Sequence, residues 1–116
     1  LHLPAFGVRD AQIAILVGIM ADQNSAGEDI AMRRKRLRYR AWHRGIREMD
    51  LILGPYADAH IEALSKAELD RLETLMDEQD ADLLIWILGQ ETPPADIDRG
   101  MVDRLRAFQQ ARTAQQ

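Results

Sequence analysis

Arg44, Gly45 and Glu48 put a cation, a residue without a side chain and a carboxylate within five positions. They sit inside Tyr39-Arg40-Ala41-Trp42-His43-Arg44-Gly45-Ile46-Arg47-Glu48-Met49-Asp50, where a basic segment gives way to an acidic one. Glycine is about 1 kcal/mol worse than alanine in a helix. Its presence between opposite charges points to a place where another backbone or a ligand comes close. The plain alternative is a surface i,i+4 ion pair between Arg44 and Glu48, worth about 0.3–0.5 kcal/mol. Two details argue against it: arginine before glutamate is the weaker order on a helix, and Gly45 weakens the helix that such a pair should support. On the residues alone, recognition of a partner stands level with local stabilisation.

Other residue types narrow the chemistry. The absence of cysteine removes disulfides, thiolate metal sites and thiol nucleophiles together, and suggests an intracellular address. No two histidines have ligand spacing, and carboxylates such as Asp58 and Glu62 read as a solvated helix face. His60 falls on an apolar stripe, where a core or boundary histidine is expected. There is no glycine-rich phosphate loop and no supported Ser-His-Asp set, so nothing calls for independent catalysis. The eight basic side chains of residues 33–47 could neutralise phosphates, line a solvated face or steer docking onto an acidic partner. No nucleic-acid recognition motif accompanies them, and residues 48–98 carry a net charge of −12.

The elements that must position these groups are helical. Valine occurs three times in 116 residues, and from residue 31 onward Leu, Ala, Arg, Glu and Asp dominate, a composition that disfavours strands. A first helix is expected from Ala31 to Arg44, with Leu37, Ala41, Tyr39 or Trp42 inward and Gly45 ending or bending it. Ile46, Met49, Leu53, Tyr56, His60 and Leu64 stay in helical phase across Gly54-Pro55, predicting one face that is kinked rather than broken. Ser65-Lys66-Ala67-Glu68 reads as a capping box for a third helix burying Leu69, Leu72, Leu75 and Met76. Asp80-Ala81-Asp82 is expected to cap a fourth, Leu83 to Leu88, stopped by Gly89 and apolar all round. Thr92-Pro93-Pro94 imposes extended backbone before a fifth helix with Ile97, Met101, Val102, Leu105 and Phe108 on one stripe. The expected fold is all-α, a compact bundle of about five short helices.

One domain is what this length allows. Residues 1–30 read as a mobile extension of uncertain origin, residues 31–112 as the helical domain and 113–116 as a frayed tail. The apolar run Ile13 to Met20 is too short to span a bilayer and lacks signal-peptide features, so no membrane insertion is expected.

The segment carrying Arg44, Gly45 and Glu48 resembles the signature of the small succinate dehydrogenase assembly factors, the flavinylation factors of the flavoprotein subunit. Their motif, arginine-glycine-x-x-glutamate, falls on those three residues. The resemblance covers roughly Arg33 to Ala111. It includes Met49-Asp50-Leu51-Ile52-Leu53, Asp82-Leu83-x-x-Trp86 and the Pro93-Pro94 turn. Trp42-His43-Arg44-Gly45 and Leu53-Gly54-Pro55-Tyr56-Ala57-Asp58 look like the bacterial branch, particularly its alphaproteobacterial members. Residues 1–30 match nothing in the family.

The resemblance implies a cytoplasmic bacterial assembly factor, monomeric when free, that is not itself the catalyst. It would bind the flavoprotein subunit of succinate dehydrogenase, and in some bacteria of fumarate reductase, and promote covalent attachment of FAD to a histidine of that subunit. The flavin stays with the partner; this chain is expected to hold no cofactor and no metal, and specific nucleic-acid binding is not implied. Arg44 would offer a planar donor, Glu48 a countercharge and Gly45 clearance for backbone approach. Arg40, His43, Ile46, Arg47 and Asp50 would complete the partner-binding face, with Asp80 extending it. Family members have also carried an antitoxin label, so an antitoxin-type regulator is the alternative.

Overall fold

The computed structural model describes residues 28–115. Among them are five α-helices: α1 (Ile30–Trp42), α2 (Arg47–His60), α3 (Lys66–Met76), α4 (Asp80–Ile87) and α5 (Arg99–Ala114). No strand occurs among the described residues, as the composition predicts. The expected extension 1–30 and the apolar run Ile13 to Met20 lie outside the described residues, except for positions 28–30. The chain divides at Arg36 into two compact units. In the N-terminal unit, Arg36 grips Glu28 through Nε and Nη2, both at 2.9 Å.

In the unit Leu37–Gln116, α5 is the hub, packing on α2, α3 and α4, while α2 also meets α4. The inward positions read from periodicity are buried: Leu37, Ala41, Met49, Leu53, Tyr56, Leu64, Leu69, Leu72, Leu75, Met76, Met101, Val102 and Leu105. Burying each large aliphatic side chain is worth about 1.5–3 kcal/mol. Local order here is therefore held by packing more than by propensity.

Helix α2 runs unbroken through Pro55. Proline removes a backbone donor and disfavours helical backbone at the residue before it, chiefly through that residue's Cβ. Gly54 has no Cβ, and the Trp42 indole fills the vacant place so closely that an added Cβ would overlap its ring carbons. The indole Nε1–H donates to Asp58 Oδ1 at 3.2 Å, fixing the ring across the proline turn. Two stripe positions differ from expectation. Ile46 and His60 lie at the two ends of α2, where its face leaves the core, and both are exposed. His60 packs instead beside Tyr56 and Phe108, with ring centroids 4.8 and 5.3 Å away.

The capping box of α3 is complete. Ser65 Oγ accepts from Glu68 N–H at 3.1 Å, and Glu68 Oε1 accepts from Ser65 N–H at 2.8 Å. The Ser65 amide, then Arg104, holds the Glu68 carboxyl at about 2, down from 4.5. A depressed folded-state value contributes stability that is complete above 4.5 and is lost as pH falls toward 2. In thermal melts across that window, wild type is expected to lose more of its melting temperature than Glu68→Gln, which keeps the cap geometry but cannot titrate. Parallel acid limbs would refute this origin of acid sensitivity.

Helix α4 corrects one expectation. Its N-cap is Gln79, without a side-chain cap bond, and Asp80 is already its first helical residue. The Asp80 carboxylate turns away from the α4 amides because an arginine and a distant backbone amide claim it, as described below. Gly89 ends the helix as expected, at φ +76, the left-handed region where glycine alone is unstrained. Arg106 donates to the helix-end carbonyls of Trp86 (2.6 Å) and Ile87 (3.1 Å). Leu88 is exposed, so the all-round apolar helix is not fully covered. Asp98 caps α5, accepting from Met101 N–H at 3.0 Å. The Arg71 guanidinium, followed by that amide, lowers the Asp98 carboxyl below the usual range. Ile97 precedes the helix and is half-buried.

Candidate partner-binding site

Residues 43–46 form the loop between α1 and α2, and two carboxylates hold it. Asp50, in the first turn of α2, reaches back to accept the Arg44 N–H at 2.6 Å. Asp80, at the start of α4, accepts from Arg44 Nε through one oxygen and from Gly45 N–H through the other, both at 2.7 Å. The guanidinium goes further: Nη1 donates to Met76 O at 2.7 Å, at the end of α3, and Nη2 to Glu78 O at 3.0 Å, in the turn that follows. Acidic groups in the first turns of α2 and α4 also sit favourably against the helix dipoles. A side chain at Gly45 would place its Cβ 3.0 Å from Asp80 Oδ2, so the glycine makes room for its own clamp.

The ion pair between Arg44 and Glu48 does not form; Arg44 pairs with Asp80 instead, at 2.7 Å, with side chains only 11% and 16% exposed. Three of the five guanidinium N–H groups are thereby used within the chain. This corrects the expectation of Arg44 as a freely offered donor: its first role is to position the loop. The outward surface of the motif is Gly45, Ile46, Arg47 and Glu48, all exposed. Among the described residues no group pairs with the Glu48 carboxylate.

The structure brings most of the sequence-predicted residues together. Arg40, His43, Arg44, Gly45 and Asp80 line one open depression of about 360 Å³, with Glu78 and Gln79. Ile46, Arg47, Glu48 and Asp50 continue from its Gly45 edge into α2. Arg40 is turned to acids of its own chain, Asp77 at 3.0 Å and Glu73 at 3.6 Å. His43 stacks on Tyr39 with ring centroids 4.0 Å apart. Sequence reading missed the part taken by Glu78 and Gln79 and by the Met76 carbonyl. Backbone carbonyls at a helix end carry no residue-type signal. Leu51 was also missed as a surface residue; it is exposed one turn into α2, near Glu48.

Half of the basic run pairs with acids of its own chain, Arg36 with Glu28, Arg38 with Asp58, Arg40 with Asp77 and Arg44 with Asp80. Among the described residues no group of three or more side chains could hold a metal ion. None of the described helices is long and apolar enough to cross a membrane.

A family model described as the flavinator of succinate dehydrogenase matches residues 35–109. The chain is 31% identical over 80 residues to the FAD assembly factor SdhE of Acetobacter pasteurianus, covering 69% of this chain and 73% of that protein. It is 36% identical over 70 residues to the mitochondrial succinate dehydrogenase assembly factor 2 of Aspergillus flavus, covering 60% and 23% of the two chains. Identity to the Debaryomyces hansenii protein of the same description is 42% over 60 residues, covering 52% and 42%. The chain thus spans about three quarters of the bacterial relative and less than half of either fungal one.

Proposed function

The chain belongs to the family described as the flavinator of succinate dehydrogenase, and on that premise we propose that it binds the flavoprotein subunit of succinate dehydrogenase through its Gly45–Glu48 corner and promotes covalent attachment of FAD there. It acts as an assembly factor in the bacterial cytoplasm, monomeric when free. The flavin belongs to the partner, and this chain supplies no reacting group. Its contribution is to hold the partner in the arrangement where the attacking histidine and the flavin meet at a productive distance and angle. Fumarate reductase, whose flavoprotein has the same chemistry, is a second client.

The observation that carries this reading is an exposed corner held from behind. Glu48 and the Gly45 backbone face outward while Arg44, Asp50 and Asp80 fix the loop. The basic run spends much of its charge on acids of its own chain, which weighs against phosphate binding. The relatives named above are described as assembly factors, and the antitoxin alternative finds no support among them.

The test is co-expression with the flavoprotein subunit, scoring covalent flavin by in-gel fluorescence after denaturation. Glu48→Ala is expected to reduce the signal at least about fivefold while its melting temperature stays close to wild type, since an exposed, unpaired side chain contributes within about 0.5 kcal/mol. Gly45→Arg is expected to remove the signal, both by crowding Asp80 and by covering the corner. Wild-type fluorescence in both variants would overturn the assignment.

A further inference from the structure

We propose that His43 is a second recognition point of this face, a fixed acceptor at Nε2 that takes an N–H or O–H donor of the flavoprotein. The Nδ1 atom lies 2.7 Å from the Tyr39 carbonyl oxygen. A carbonyl has no proton to give, so Nδ1 carries the hydrogen and donates it. In the neutral ring the lone pair is then confined to Nε2, because the partner of one nitrogen sets the role of the other. Ring orientation is fixed as well. The imidazole stacks on Tyr39, one helical turn earlier, with 17° between the ring planes. His43 is exposed and lines the same depression as Gly45 and Asp80. Among the described residues its imidazole has no hydrogen bond beyond the one to Tyr39.

The surroundings define the kind of partner. The strong donors nearby are already used: Gly45 N–H and Arg44 Nε on Asp80, Arg40 on Asp77 and Glu73. What remains outward is chiefly accepting, the Glu48 carboxylate and His43 Nε2, with exposed Arg47 as the exception. A surface rich in donors fits this corner, although the segment reads as basic in sequence. Arg40, Arg44 and Asp80 beside the imidazole are paired within the chain, and a neutral amide or hydroxyl suffices as its donor.

The inference rests on the docking reading above, and the experiment separates the two. Dissociation constants are measured between the intact chain and the purified flavoprotein subunit for wild type, His43→Asn, His43→Gln and Glu48→Ala, with melting temperatures alongside. Asparagine keeps a donor at the Nδ1 position for Tyr39 but offers nothing at Nε2; glutamine restores an acceptor there. His43→Asn is expected to weaken binding roughly three- to tenfold, the range of one hydrogen bond. His43→Gln is expected to stay within about twofold of wild type, and both should melt like wild type. Wild-type affinity for His43→Asn, or equal losses for Asn and Gln, overturns the role of Nε2. Weakening by Glu48→Ala in that experiment would leave the docking face standing. If Glu48→Ala binds as wild type while His43→Asn does not, the acceptor stands and Glu48 loses its part.

Discussion

Gly54→Ala is expected to lower the melting temperature by about 10–20 °C. The added methyl would overlap the Trp42 ring carbons, and the indole has little freedom to retreat because Asp58 holds its Nε1. Overpacking of this kind costs typically about 1–3 kcal/mol, occasionally more. Alanine before Pro55 adds the clash that glycine avoids. For a unit of this size about 1 kcal/mol corresponds to about 4–8 °C. The partner variant gives the control. Trp42→Leu loses packing on its own, but combined with Gly54→Ala it opens the space that the methyl needs. The double variant should therefore be more stable than the sum of the single losses predicts. A melt of Gly54→Ala within about 2 °C of wild type, or additive losses, would mean that the ring does not occupy this place.

Asp80→Ala is expected to destabilise the fold by about 2–4 kcal/mol and to abolish flavinylation with it. One substitution removes the acceptor of Arg44 Nε and of Gly45 N–H. It leaves a guanidinium only 11% exposed without its countercharge. Breaking a largely buried pair from one side is costly because the remaining group is stranded. In the double variant Arg44→Ala with Asp80→Ala no charge is stranded, so chemical denaturation should show a smaller loss than the two single losses combined. The contrast with Glu48→Ala is diagnostic. Both lose covalent flavin, but only Asp80→Ala loses stability. An Asp80→Ala protein as stable and as active as wild type would show that the clamp does not hold the loop.

Much of the fold was legible because its signals are local. The phase of Met49, Leu53 and Tyr56 across Pro55 survives in a 14-residue helix, and the Ser65–Glu68 box forms with both of its bonds. Asp80 shows where local reading ends. Two acceptable cap residues, Asp80 and Asp82, precede an apolar run, yet the cap is Gln79, because the Asp80 partners lie 35 and 36 positions away. Arg44 was found as a motif residue, but whether its guanidinium faces outward or inward depends on where the α3 end comes to rest. Gly54 was read with Pro55 as the site of a kink. A glycine on a buried helix face, with a tryptophan twelve positions earlier, could have suggested an aromatic ring filling the gap. Ile46 and His60 fit the stripe by number alone; periodicity does not say where a helix end leaves the core.

Arg44 closes its grip on the carbonyl oxygen of Met76, the last residue of α3, and on that of Glu78 in the turn that follows. Freeing this loop therefore means releasing the last carbonyl of α3 and the turn after it. On the proposed docking role, the corner would meet its client already shaped, its conformational entropy surrendered when the chain folded rather than at encounter. Association then spends little on ordering this side, and a small contact area suffices for a complex that must come apart once the flavin is fixed.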